Sequence, residues 1–309
     1  MTGPGARSHA RGVAARTVAQ AKVNLFLRVL AREDNGYHQI ETMFCRLELG
    51  DDVTIRVGTN DRSLRVTGAT VPAGGLGPAE RNLAWRAAEA FSARAGWPND
   101  WAIDIDKRIP VGGGLGGGSA DAGAVLRCLN AIAPTPLDAP ALVEIAGTLG
   151  ADVPFLTTDG ALALAWGRGD RLLPVAPLPT RDVVLACFPF GVATPDAYRW
   201  VDETASRAPG AAVRDLAALA SWSHLAPLAH NDFEPVVAAR FPLIASTLSA
   251  WRAAAPPTEP TITLLSGSGS TVFHLAGRVA DSLADALDPA VTVVRTRTAD
   301  RVVGVEVAD

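Results

Sequence analysis

Lysine is nearly missing from this chain of 309 residues: of 28 basic residues only Lys22 and Lys107 are lysine. Arginine supplies every generic positive charge, so two compact ammonium groups stand apart from the rest. Cysteine is also scarce. Cys45, Cys128 and Cys187 are odd in number, far apart and outside any metal spacing. That fits buried thiols in a reducing cytosol better than a disulfide framework, and no convincing zinc pattern is present. No apolar run approaches the ~20 residues of a membrane span. A net charge of −4 leaves no basic field to attract nucleic acid, so any affinity for phosphate must be local. Residues 1–16 carry Arg7, Arg11 and Arg16 but no acid and no apolar segment, and read as a disordered arm rather than a signal peptide. At 48% apolar and 19% charged, the chain as a whole has material for two ordinary globular cores.

Glycine is concentrated where those absences leave room for chemistry. The run Ile109-Pro110-Val111-Gly112-Gly113-Gly114-Leu115-Gly116-Gly117-Gly118-Ser119-Ala120-Asp121 lies between two patterned segments. Before it, Trp101, Ile103 and Ile105 alternate with Ala102, Asp104 and Asp106, as in a strand. After it, Ala122, Val125, Leu126, Leu129 and Ile132 follow helical spacing. Glycines at a turn that opens a helix let backbone N–H groups approach an anion, and the helix dipole adds to the attraction. A flexible linker has similar composition but lacks such flanks. A P-loop is excluded because Ser119-Ala120, not Lys-Ser or Lys-Thr, follows the last glycine. The dinucleotide fingerprint fits only loosely and lacks its acidic residue about 20 positions on. The loop is therefore expected to seat a nucleotide.

Along the chain, Lys22 to Leu30 alternates with Val23, Leu25, Leu27 and Val29 on one face. Lys22, Asn24, Phe26 and Arg28 take the other, so Lys22 and Asn24 project side by side. Asn35-Gly36 signals a tight turn into a return strand at Tyr37-His38. Strands are expected near Val53 to Val57, Ser63 to Thr67, Ala161 to Trp166 and Arg171 to Val175. Helices are expected over Asn82 to Arg94, Ser119 to Ile132 and Asp138 to Leu149. The Pro-rich stretch Pro174 to Thr180 marks a domain boundary. Beyond it come strand Val183 to Cys187, helix Pro195 to Glu203, and strands Thr261 to Leu265 and Thr271 to Leu275. Helix Arg278 to Leu287 and strand Val291 to Thr296 complete a βαββαβ order, blurred by an insertion around Asp202 to Leu228.

Asp152, held by Gly150 and Pro154 at a helix end, is the candidate for chemistry. A carboxylate that accepts a hydroxyl proton, with Lys22 keeping it ionised, suits phosphoryl transfer to an alcohol. A plain turn or capping aspartate is the other reading. His38 likewise reads as a ligand or as a structural histidine, Tyr198 as a ligand or half-core. Ser266 to Ser270 reads as a binding loop or only a hairpin turn.

The glycine run resembles the phosphate loop of the GHMP kinases. The form is that of the branch acting on 4-diphosphocytidyl-2-C-methyl-D-erythritol. Ala21-Lys22-Val23-Asn24-Leu25-Phe26-Leu27, Asp34-Asn35-Gly36-Tyr37-His38, Gly150-Ala151-Asp152-Val153-Pro154-Phe155 and Leu265-Ser266-Gly267-Ser268-Gly269-Ser270 are similar to further motifs of that branch. Asn82-Leu83, Thr194 to Tyr198 and Asn231-Asp232-Phe233-Glu234 continue the likeness in order. The resemblance implies an α+β, two-domain GHMP kinase fold. Residues 17–178 would form a ribosomal protein S5 domain 2-like ATP-binding half, and 179–309 a ferredoxin-like substrate half. It implies ATP-dependent phosphorylation of the substrate's 2-hydroxyl in non-mevalonate isoprenoid synthesis. Asp152 and Lys22 would be the catalytic base and its cationic partner. Asn82, Lys107, Pro110, Gly112, Gly113, Gly114, Leu115, Gly116, Gly117, Gly118 and Ser119 would hold ATP, with Mg²⁺ expected alongside and no protein metal ligand named. Asn24, Tyr37, His38, Asp152, Thr194, Tyr198, Gly267 and Ser268 would hold the cytidine-diphosphate substrate, with Tyr37 and Tyr198 near the cytosine.

The chain departs from the pattern in three places. Ala120 stands where a second serine is frequent, Gln20 where proline is, and Asp170 where glutamate is usual. None removes a presumed catalytic group. The expected partners are small molecules, with no nucleic acid or membrane, for a cytoplasmic monomer or weak homodimer. Another GHMP small-molecule kinase, or a catalytically silent nucleotide sensor on the same fold, stands as the alternative.

Overall fold

The computed structural model describes residues 13–204, 213, 215–256, 259–283 and 287–308. The first half begins with two long strands, β1 (Ala14–Arg32) and β2 (His38–Arg56), followed by β3 (Arg62–Thr67). Helix α1 (Leu83–Ala95) starts where the Asn82 side chain accepts from Ala84 N–H, and ends at left-handed Gly96. Then come β4 (Trp101–Asp106), α2 (Gly117–Ile132), α3 (Ala139–Leu149), the short α4 (Val153–Thr157), β5 (Leu162–Gly167) and β6 (Arg171–Val175). The second half holds β7 (Asp182–Cys187), α5 (Thr194–Asp202), α6 (Trp222–Leu225), β8 (His230–Asn231), α7 (Glu234–Ala238) and α8 (Pro242–Ala254). It closes with β9 (Ile262–Leu265), β10 (Val272–Ala276), β11 (Thr292–Arg297) and β12 (Glu306–Ala308).

The two sheets are joined. The larger runs β12-β1-β2-β4-β3, with β5 also on β2, β6 on β5 and β8 on β1. The smaller runs β11-β7-β10-β9, every neighbour antiparallel. Numbered within the second half that order is 4-1-3-2, the ferredoxin-like arrangement implied above. Alternation divides its strands between cores: Val183 and Leu185 face the core of the first half, Val184 and Ala186 the core under α5, α7 and α8.

Several expectations are corrected. The arm over residues 1–16 lies outside the described residues as far as residue 12, and Ala14 to Arg16 are strand. They gain order from pairing on both edges, with Arg56 to Thr54 of β2 and Ala308 to Glu306 of β12. The chain's last strand thus belongs to the first half's sheet. The helix over Arg278 to Leu287 is, among the described residues, one 3-10 turn at Asp281–Leu283, whose Leu283 carbonyl accepts from Trp251 Nε1. Strict alternation in β1 also fails. The register against β2 shifts between Asn24 and Phe26, so Phe26 joins Val23 and Leu25 in the first core while Leu27 and Val29 enter the second. Lys22 and Asn24 precede the shift and remain side by side. All three cysteines are free and buried, and burial pushes their thiols up to about 12, 12 and 11 for Cys45, Cys128 and Cys187.

Candidate active site

The glycine run leaves β4 and enters α2 as expected, with the helix starting two residues earlier, at Gly117. Its N-cap is Gly116, in the left-handed region at φ 72°, and no side chain caps the helix. The first N–H groups of α2 therefore lack a side-chain partner at the cap, which is the property an anion exploits. Gly114, at φ 79°, has no room for a side chain: an added Cβ would sit 2.2 Å from the Ser266 carbonyl oxygen. The loop is tied to both halves. Lys22 N–H donates to Leu115 O (2.9 Å), Thr271 N–H to Gly113 O (3.0 Å) and Ser266 Oγ to Gly114 O (3.0 Å). The Ser266 to Ser270 segment is a hairpin turn between β9 and β10, as one reading had it, and that turn is docked on the phosphate loop.

Lys22 is buried, and its ammonium donates to Asn24 Oδ1 at 2.8 Å and lies 3.2 Å from Asp152 Oδ2. Asn24 Nδ2 in turn donates to Thr42 Oγ1 (2.7 Å), whose hydroxyl donates to Phe26 O (2.7 Å). Asp152 occupies the N-cap of α4 but makes no capping hydrogen bond. Its carboxylate faces Lys22 and keeps 29% of its side chain exposed. Asp152 therefore does not act as a side-chain cap of α4.

Lys107 is placed differently from a free nucleotide contact. Its ammonium is buried between Asp51 and Asp121, 2.7 Å from Asp121 Oδ2. Asp51 Oδ1 also accepts from the N–H groups of Arg108 (2.6 Å) and Ile109 (2.8 Å), the residues that lead into the loop. Burial lowers the Lys107 pKa, but the two carboxylates outweigh it and hold the ammonium charged. Asp121 is raised above the usual carboxylate range by burial and by Asp51, against the pull of Lys107. Ala120, the departure from the familiar pattern, lies in the core beneath the loop.

One cavity of about 480 Å³ is lined by Lys22, Asn24, Asn82, Lys107, Pro110, the whole of Gly112 to Ser119, Asp152, Thr194, Tyr198, Gly267 and Ser268. Tyr37 and His38 are the two predicted residues outside it. They line an adjoining cavity of about 1040 Å³, which shares Ala151, Thr194 and Tyr198 with the first. There the His38 ring stacks on Tyr198 with centroids 4.3 Å apart, while Tyr37 is 59% exposed under the Arg168 guanidinium at 4.1 Å. Burial and the nearby Asp152 push the Tyr198 hydroxyl up to about 12, so it remains a donor at neutral pH. Thr194 Oγ1 and Ser268 Oγ lie 3.0 Å apart and close the cleft from the second half.

Residues 82–160 match the GHMP kinases N terminal domain. The chain is 40% identical over 269 residues to the 4-diphosphocytidyl-2-C-methyl-D-erythritol kinase of Deinococcus radiodurans, covering 87% of this chain and 86% of that one. The enzyme of the same name from Anaeromyxobacter dehalogenans is 42% identical over 83% of this chain and 79% of its own length. The chain belongs to the 4-diphosphocytidyl-2-C-methyl-D-erythritol kinase family. A crystal structure of 4-(cytidine 5'-diphospho)-2C-methyl-D-erythritol kinase superposes with a TM-score of 0.70 at 34% identity, over 92% of this chain and 98% of that one. The L. major mevalonate kinase, at 14% identity and a TM-score of 0.64 over 92% of this chain and 95% of its own, shares the fold.

Sequence reasoning missed four groups that shape this kinase site. Thr42 and Asp51 carry no local motif, because their partners sit 16 to 58 positions away, and Asp121, though it ends the glycine run, takes its role from Lys107 14 positions before it. Asp202 is the fourth: its Oδ1 lies 2.8 Å from His38 Nε2. Its position one helical turn after Tyr198 was the available signal.

Proposed function

We propose that this kinase transfers the γ-phosphoryl group of ATP to the 2-hydroxyl of 4-diphosphocytidyl-2-C-methyl-D-erythritol, with Asp152 as base. The observation that carries the reading is the Lys22–Asp152 pair, 3.2 Å apart at the mouth of the glycine loop. ATP phosphates rest on the uncapped start of α2. Asp152 Oδ2 takes the proton of the hydroxyl, whose oxygen bonds to the γ-phosphorus as the bond to the β–γ bridging oxygen breaks and ADP leaves. Lys22 pairs with Asp152 and faces the charge that grows on the transferring oxygens, and Asn24 holds its ammonium in place. Lys107, clasped by Asp51 and Asp121, shapes the loop from behind.

Mg²⁺ is expected with the nucleotide, where it offsets phosphate charge. The donor set suits an ion carried mainly on ATP itself: Ser119 offers a hydroxyl at the loop, and among the described residues no cluster of three acidic, His or Cys side chains forms a cage. The cytidine end belongs in the adjoining cavity, where aromatic faces and a histidine suit a pyrimidine. No helix among the described residues is long and apolar enough to cross a membrane, and the substrates are water-soluble, so we place the enzyme in the cytoplasm.

The test is ADP release by the purified protein with Mg²⁺-ATP, with and without the cytidylyl alcohol. Release that depends on the alcohol supports the reading. No release, with ATP still bound, would overturn it in favour of a silent sensor. Release with a different GHMP substrate would move the acceptor.

A further inference from the structure

We propose that Asp202 is a positioning residue that fixes the His38 ring for reading the cytosine of the substrate. The proposal rests on the placement of the cytidine end given above. His38 opens β2 and Asp202 closes α5, so the contact spans the two halves of the cleft. The ring is gripped twice by one helix. Tyr198 stacks on its face at 4.3 Å and 15°, and Asp202, four residues on, meets its edge with Oδ1 2.8 Å from Nε2. The other carboxylate oxygen of Asp202 lies 3.6 Å from Arg32 Nη1, an ion pair at the cavity's edge.

This geometry decides which ring nitrogen meets a ligand. A carboxylate accepts and cannot donate, so Nε2 carries the hydrogen, and of the two neutral tautomers the one favoured leaves a lone pair on Nδ1. Nδ1 makes no hydrogen bond among the described residues and is not sealed from solvent. His38 itself keeps only 7% of its side chain exposed, so its surroundings hold it still. A lone-pair nitrogen complements the 4-amino group of cytosine and opposes the 4-carbonyl of uracil. Asp202 thus gives the kinase a preference for cytidylyl over uridylyl groups. The remaining charged groups lining the cavity have other partners: Arg168 pairs with Glu33, Arg199 with Asp196 and Glu203 with Arg240, and Asp170 Oδ1 accepts from Arg168 N–H.

The test compares wild type with Asp202→Ala and with Asp202→Asn, which keeps an acceptor oxygen. In ¹⁵N-correlated spectra of the histidine rings, wild-type His38 shows the Nε2–H tautomer and Asp202→Ala loses it. Losing an orienting hydrogen bond to an otherwise intact site raises KM for the cytidylyl alcohol about tenfold in Asp202→Ala. Its kcat and KM for ATP stay within about twofold of wild type, because the phosphate loop is untouched, and Asp202→Asn recovers most of the loss. The binding preference for CDP over UDP, measured by calorimetry, shrinks in the same variant. An unchanged tautomer, an unchanged CDP/UDP ratio, or KM for ATP rising in parallel overturns the proposal. Tautomer and nucleotide binding are read without turnover. Should wild type release no ADP with the alcohol, the functional reading fails while the role of Asp202 is still decided.

Discussion

The two ends of the cleft are built on different principles. At the phosphate end, backbone and buried side chains are already in place: the loop is hydrogen-bonded to β1 and to the β9–β10 turn, and Lys22 and Lys107 are both buried among oxygens. At the cytidine end the aromatic faces are occupied by the protein itself, Tyr198 by His38 and Tyr37 by Arg168. Electrostatic stabilisation of a transferring phosphoryl group requires dipoles that do not reorganise, so that end must be rigid before substrate arrives. Recognition of a base tolerates rearrangement, because stacking is forgiving of small displacements. The phosphate end is preset around two buried lysines, whereas the cytidine end joins a held His38 ring to an exposed Tyr37.

Mutations at the phosphate end should break that contrast most strongly. Asp152→Asn is expected to lower kcat by about 10²–10⁴-fold while calorimetric ATP affinity stays within about twofold. Lys22→Met should follow at about 10²–10³-fold in kcat, with the melting temperature reporting any separate loss of packing. Gly114→Ala places a Cβ on the Ser266 carbonyl at a backbone conformation that costs a non-glycine residue roughly 1 kcal/mol or more. ATP affinity should weaken by about tenfold, read by titration, with the cytidylyl site unaffected.

At the other end effects should be smaller and confined to KM. Tyr198→Ala removes a stacking face worth about 1–3 kcal/mol, so KM for the cytidylyl alcohol rises tenfold or somewhat more at nearly constant kcat. A fall in kcat equal to that of Lys22→Met would erase the distinction between the two ends.

The smallest effect concerns stability. Burial raises Asp121 to about 7, above its unfolded value near 3.8. Between those values the folded chain holds a proton that the unfolded chain has released, so stability contributed by this group declines as pH rises through about 7. Asp121→Asn should flatten urea-unfolding free energy across that window. A wild-type slope retained in the variant would assign the titration to another group.

What could be read from the chain alone follows the same division. The phosphate end is local in sequence: a strand, a glycine run and a helix lie within Trp101 to Ile132, and their periodicities name each element. Lys22 and Asn24 were legible because they are two residues apart on one strand face. The shift after Asn24 was not, since an extra residue in one strand leaves the apolar pattern intact while moving Phe26 and Leu27 to different cores. Asp51, Asp121 and Asp202 escaped for another reason. Each acquires its meaning from a partner on a different element, and only for Asp202, one helical turn after Tyr198, does spacing within one element hint at that partner.

The pairing of β12 with β1 has a consequence in time. Arg16 meets Glu306 across 290 positions, so a ribosome delivers the second side of that contact 290 residues after the first. At about 5–20 residues per second, the outer edge of β1 waits roughly a quarter of a minute to a minute for its partner. During that interval the strand that carries Lys22 offers unpaired backbone along Ala14 to Arg16 to any neighbouring chain. The nascent kinase is therefore most open to misassembly at the strand on which its own chemistry depends.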